Sequence, residues 1–217
     1  MKRHGATVAT LGAGAGFAAL QWLGRTAGAT RAERRASLPG DDLVEWPMIV
    51  TNHAITIDAP PDRVWPWLVQ MGWQRAGWYT ARWVDRLLFP DNAASADRIV
   101  PELQHLVVGD WVPDGRPETN CGFVVEQLEA TRHLVLHSTE HLPPQFQQRF
   151  GAWIDWSWQF VLREEEGGRT RFLFRSRVRL GPHWLAAAYW TAIIPADYVM
   201  GRQMLRGVKR RVEAAAT

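Results

Sequence analysis

His133, His137 and His141 recur at every fourth position, a spacing that would present them to one metal ion if the segment were a helix. Their surroundings, Leu134-Val-Leu-His-Ser-Thr139, are those of a strand. In a strand four residues span ~13 Å, whereas a zinc ion holds its ligands at ~2 Å, so the three histidines cannot share one ion and no metal site is expected. His137 alone remains an acid/base candidate. Asp110, between Gly109 and Trp111, could hydrogen-bond a ligand, although Gly-Asp is also ordinary turn chemistry. Tyr79 adds a phenol. Tyr79, His137 and Asp110 are the groups from which proton transfer would have to be built. Cys121, in Thr119-Asn-Cys-Gly122, has no adjacent base to make it a nucleophile. There is no nucleophile-elbow sequence, phosphate loop or His-Glu-x-x-His pair. Gly12-Ala-Gly-Ala-Gly16 lacks the preceding strand that a dinucleotide fingerprint requires, so no cofactor is expected.

The 217 residues suit one domain with an appendage. A single cysteine excludes an internal disulfide. The net charge of +3 comes from short basic runs rather than one dense basic face, which argues against nucleic acid as a partner. The 13 tryptophans are the unusual feature. An indole needs a large apolar surface and a partner for its N–H, so this many imply an aromatic-lined interior, a membrane-facing belt, or both.

The segments that must position these groups follow in order. Residues 1–27 hold an uncharged stretch, 5–24, close to the ~20 residues that span a bilayer. The stretch is expected to anchor the chain in a membrane, with the main domain cytoplasmic. A cleaved export signal, with Ala27-Gly-Ala29 as its small-x-small site, is the alternative. Residues 28–47 read as a linker and 48–217 as the domain. Met48–Asp58 alternates like a half-buried strand. Pro61–Met71 reads as a helix with Pro in its first turn. Ala76–Leu88 reads as a second helix, with Tyr79, Trp83 and Leu87 on one side, and 90–109 is irregular. Period-two patterns then predict strands at 110–113, 122–129, 133–139, 154–163 and 169–180, with turns at Asp114-Gly115 and Gly167-Gly168. Arg171, Arg175, Arg177 and Arg179 oppose the apolar face of the last strand. They are expected to face solvent or to pair with Glu126 and Glu129. Anionic lipid headgroups are a less favoured partner for them. Pro182–Ile194 is apolar, and after Pro195 comes an amphipathic helix with Met200, Met204, Leu205, Val208 and Val212 on its apolar side.

Ile55–Gly72, Ala96-Asp-Arg-Ile-Val-Pro-Glu-Leu-Gln104 with Val108-Gly-Asp-Trp111, and Tyr198 to Arg211 together resemble the SRPBCC superfamily, the START-related, polyketide cyclase/dehydrase-like proteins. The resemblance runs from about Gly28 to the C-terminus. It implies an α+β helix-grip fold, a curved antiparallel sheet wrapped around a long C-terminal helix, with the pocket between them.

Candidate lining residues for that pocket are Phe123, Trp156, Trp158, Phe172 and Phe174 from the sheet. Trp67, Tyr79 and Trp83 would come from the small helices, and Met200 and Met204 from the grip helix. The expected function is non-catalytic binding of a hydrophobic small molecule or lipid by a membrane-tethered protein. The alternative is a cyclase/dehydratase enzyme drawing on Tyr79, His137 and Asp110. A third possibility is an interaction module that uses its charged outer face.

Overall fold

The computed structural model describes residues 2–88, 91 and 93–215. Pro90, at the start of the expected irregular stretch, and residues 216–217 lie outside them, as do the side chains of 5–11 and 13 in the expected anchor.

Six strands form one antiparallel sheet: β1 (Ile49–Ile57), β2 (Trp111–Pro113), β3 (Gly122–Glu129), β4 (His133–Ser138), β5 (Trp153–Glu165) and β6 (Arg169–Gly181). Their order is β1-β6-β5-β4-β3-β2. Strands β2 to β6 are a meander in chain order, and β1 closes the sheet by pairing with the last strand, Ile49 opposite Val178. The β5–β6 hairpin turns through Gly167 and Gly168, both at positive φ, where glycine avoids the Cβ clash.

One face of the sheet carries Phe123, Leu134, Leu136, Trp156, Trp158, Phe160, Phe172 and Phe174 in the main core. Across it lies a continuous helical run made of α6 (His183–Ala188), a π-helical turn (Tyr189–Ile193) and α7 (Ile194–Ala214). Met204, Leu205, Val208 and Val212 face the sheet and are buried, so the fold is the α+β helix grip. Two short helices, α3 (Pro61–Val69) and α4 (Arg82–Leu88), close one end, and α5 (Pro144–Phe150) precedes β5.

The second of the two closing helices starts later than its periodicity predicts. Gly77 and Tyr79 both take positive φ, so the backbone cannot be helical there, and regular turns begin only at Arg82. Tyr79 and Trp83 therefore do not share a helix face. Tyr79 is fully buried, whereas Trp83 is 58% and Leu87 72% exposed. Gly207 of α7 packs on the Tyr79 carbonyl so closely that any Cβ would overlap it.

The opposite face of the sheet is not open to water. Residues 28–47, including α2 (Arg31–Arg35), run across it. Ala29 and Leu38 pack with Ala54, Val161 and Leu173 in a second apolar cluster, and the Gln159 amide donates to the Gly40 carbonyl at 3.1 Å. The arginines of β6 are paired here, in place of the expected solvent or Glu126 and Glu129. Arg171 holds Glu33 through two nitrogens at 2.7 and 2.9 Å, and this pairing holds the Glu33 carboxyl down at about 2. Arg175 binds Asp41 at 2.7 Å, Asn52 at 2.7 Å and the carbonyls of Ala36 and Glu33. Arg177 reaches the Val44 carbonyl. Arg179 instead stacks over Trp153. A planar guanidinium can satisfy several acceptors at once, and that is how a segment without apolar periodicity is held to a sheet.

The remaining helix, α1 (Lys2–Thr26), precedes α2. No helix among the described residues is long and apolar enough to cross a membrane, so the expectation of a spanning segment at 5–24 finds no support in the structure. Glycine and alanine dilute its hydropathy, and Gln21 is buried, donating to the Trp190 carbonyl at 2.6 Å. Gly24 sits directly on Ile194. The second half of α1 is thus packed against the π-turn and the start of α7.

Candidate functional site

Most of the space between grip helix and sheet is filled by side chains. Phe160 and Phe174 stack at 5.0 Å, Phe123 tilts against Trp158 at 4.5 Å, and Trp78 and Trp158 meet edge-on at 5.2 Å. Toward the π-turn end the packing opens into a cavity of about 410 Å³. Its walls are Ile154, Trp156 and Leu180 from β5 and β6, and Leu185, Ala188, Ala192 and Ile193 from the helix. Leu142, Pro143 and Phe146 form the outer side. Of its lining residues, only His141, Tyr189 and Trp156 carry polar side-chain atoms, the Trp156 N–H being held by Ser176. Apolar walls with few, convergent polar groups are the usual make-up of a small-molecule pocket.

Behind His141 and Tyr189 lies a buried polar set. His141 Nε2 faces Asp114 Oδ2 at 3.3 Å, both side chains nearly free of solvent. Burial pushes the Asp114 carboxyl above its ordinary value, against the pull of His141. The His141 ring is held between Phe123 and Trp156, each at 4.7 Å, and the Trp156 indole donates to Ser176 Oγ at 2.7 Å. Tyr189 sits edge-on to Trp156 at 5.9 Å.

Two turns further along the helical run, Asp197 accepts from Thr51 of β1 at 3.2 Å. Its carboxyl is pushed up to about 7, first by burial and then by the charge of Asp114. Burial also raises the Tyr189 phenol, with Asp197 and Asp114 adding to the effect. Among the described residues the Tyr189 hydroxyl has no hydrogen-bond partner. The unpaired Tyr189 phenol and the His141 imidazole with its carboxylate can fix a polar group of a ligand and exchange protons with it, while Asp197, set behind the cavity, bears on Tyr189 through its charge.

The residues expected to line a pocket divide into three groups. Trp156 lines the cavity. Trp67, Tyr79, Phe123, Trp158, Phe172, Phe174 and Met204 are buried in the packed core, and Met200 is half-buried against it. Trp83 is on the outside.

The acid/base candidates also lie away from the cavity. The Tyr79 hydroxyl accepts from Gln70 at 2.8 Å and donates to the Trp67 carbonyl at 2.9 Å, which commits its proton. His137 points to the other face of the sheet, with Nε2 2.7 Å from Asp155 and Nδ1 3.7 Å from Glu126. Asp110 accepts from the Val107 N–H at 2.9 Å within a turn. The histidines of the four-residue repeat go to separate carboxylates: His133 to Glu129, His137 to Asp155 and His141 to Asp114. Among the described residues no cluster could hold a metal ion. Burial raises the Cys121 thiol, which contacts the Thr119 carbonyl. His141 is the histidine that reaches the cavity, and Tyr189, Asp197 and Asp114 join it without any local motif.

No family matches the chain by sequence. No curated protein matches it either. Solved structures of similar shape are distant. A Mesorhizobium loti protein, MLL2253, is 14% identical, with 76% of this chain and 98% of that one aligned at a TM-score of 0.44. A norcoclaurine synthase point mutant from Thalictrum flavum, in complex with a transition-state analogue, is 10% identical over 78% and 96% of the two chains at 0.45. DynU16, from the dynemicin biosynthetic locus, is 12% identical over 76% and 48% at 0.40.

Proposed function

We propose that this chain binds an apolar small molecule in the cavity between the π-turn and the β5–β6 end of the sheet, with a polar group of the ligand directed at His141 and Tyr189. The observation that carries this reading is the cavity itself: about 410 Å³, within the roughly 300–1,000 Å³ that small-molecule sites occupy, and apolar except at one end. The resemblance to the SRPBCC superfamily supports the same reading. Its test is native mass spectrometry of the protein purified from its own host. The expected result is a stoichiometric apolar compound on the native chain and none on Ala188→Trp or Ala192→Trp, which fill the cavity from its helical wall. An empty native chain, or compound retained by both filled variants, would refute it.

A second reading is favoured by Asp197, whose carboxyl titrates near neutrality at about 7: acid–base turnover of the bound molecule. Such chemistry needs little beyond a positioned group with its pKa near the working pH. Under this reading Asp197→Asn, expressed in the same host, accumulates a compound different from the one on the native chain. The same compound on both would leave binding alone.

A further inference from the structure

We propose that the face surrounding the cavity mouth is a docking surface for an anionic lipid bilayer. It is formed by the second half of α1, by α5, and by α6 with the π-turn. Trp22 is 62% exposed, Trp184 49%, Phe150 44% and Trp190 41%. Single exposed apolar residues are commonplace on protein surfaces, but Trp190, Phe150 and Trp184 each meet another ring of this face. Phe17 of α1 meets Trp190 edge-on at 6.1 Å, Phe150 meets Trp184 at 5.3 Å, and Phe146 lies 5.9 Å from Phe150. Phe146 and Ile193 are at once part of this face and part of the cavity wall. A contiguous apolar patch of this kind marks an interaction site.

The charge on this face selects the partner. Residues 12–26, 144–150 and 183–193 contain no aspartate or glutamate, and they contribute Arg25, Arg149 and His183. Arg25 lies over the Trp190 ring at 5.6 Å and Arg149 over the Phe150 ring at 5.3 Å. Indoles that sit at headgroup level, with cations beside them, are the make-up of a membrane interface. A protein partner would have to offer carboxylates to arginines that are already shared with aromatic rings. No described helix is long and apolar enough to cross a bilayer; the face would instead seat on the surface, its apolar side chains reaching the acyl boundary. The cavity then opens onto lipid, and an apolar ligand enters without crossing water. The docking itself does not depend on whether the cavity is loaded.

The test is sedimentation of the full chain with phosphatidylcholine vesicles, with and without phosphatidylglycerol. The expected result is binding to the anionic vesicles that weakens with added salt, together with quenching of tryptophan fluorescence by brominated acyl chains. Arg25→Ala combined with Arg149→Ala should lower the affinity roughly tenfold or more, since each basic residue near an anionic surface contributes on the order of 1 kcal/mol. Trp184→Glu combined with Phe150→Glu should abolish binding, with circular dichroism confirming the fold. The arginine pair serves as the independent arm should the glutamate variant misfold. Native protein that stays in solution with every vesicle would overturn the proposal, as would binding unchanged by both sets of substitutions. A dimer in light scattering that the Glu variant dissolves would assign the face to a second copy of the chain, and would equally overturn it.

Discussion

Asp197→Asn should make the protein more stable, by an amount that grows as pH rises from about 4 to about 7. In the folded chain the carboxyl is raised from 3.8 to about 7, so its folded-state pKa lies above its unfolded one. Below 3.8 both states hold the proton and the group has no effect. Between 3.8 and about 7 the folded state alone keeps it, and stability falls as pH rises. Above about 7 both states have lost it, and the full cost of a buried charge remains. At ~1.36 kcal/mol per pH unit the shift amounts to about 4 kcal/mol above neutrality and about 1–2 kcal/mol at pH 5. Asparagine removes the charge and keeps an oxygen to accept from Thr51 Oγ1. Urea titrations of native and variant chains at pH 5 and pH 8 measure the difference directly, because every other titrating group is common to both. The expected gain at pH 8 exceeds that at pH 5 by about 3 kcal/mol. A gain equal at both pH values, or a loss at pH 8, would refute the claim that a buried charge is held at this position.

Three further outcomes follow from the packing. Arg175→Ala should cost about 3 kcal/mol or more in urea unfolding, because the Ala36 and Glu33 carbonyls and the buried Asn52 lose a donor and Asp41 is left with only Leu38 N–H and Arg177. Tyr79→Phe should lower stability by about 1–2 kcal/mol through the lost Gln70 and Trp67 hydrogen bonds. Its cavity occupancy in native mass spectrometry should be unchanged. His53 is buried against Phe174, and burial lowers its pKa from 6.5 to about 4. The unfolded chain therefore takes up a proton first as pH falls below 6.5, and stability should drop toward pH 4. His53→Phe should flatten that acid limb in thermal unfolding.

The sheet and the grip helix were readable because both are long and periodic. Trp156, Trp158 and Phe160 alternate with Ser157 and Gln159, and the apolar side of 200–212 repeats at helical spacing. Register between β1 and β6 was less legible, since nothing local in Thr51 or His53 points to Ser176 or Phe174. The Tyr79 helix was misplaced because its apolar spacing is sound while Gly77 and Tyr79 adopt positive φ for tertiary reasons. The arginines of β6 look solvated in sequence. Their partners, Glu33 and Asp41, lie in a segment whose composition reads as linker. The site was hardest of all. Its aromatic wall was sought over the whole sheet, yet Phe160, Phe172 and Phe174 fill their own space and leave room only near Trp156. His141, Asp114, Tyr189 and Asp197 are brought together by a loop, a strand end and two helical turns, so no spacing rule could have grouped them.

The pairing of β1 with β6 has a kinetic consequence. Ile49 meets Val178, so the first strand has no sheet partner until nearly the whole domain has left the ribosome. Non-local pairing of this kind slows folding. Meanwhile the aromatic face of β5 and β6 waits for α7, which is synthesised last, to cover it. During that interval Trp156, Trp158, Phe172 and Phe174 stand open to other chains, the condition in which intermediates aggregate. Growth temperature and chaperone supply should therefore govern the yield of soluble protein more strongly than the stability of the finished fold.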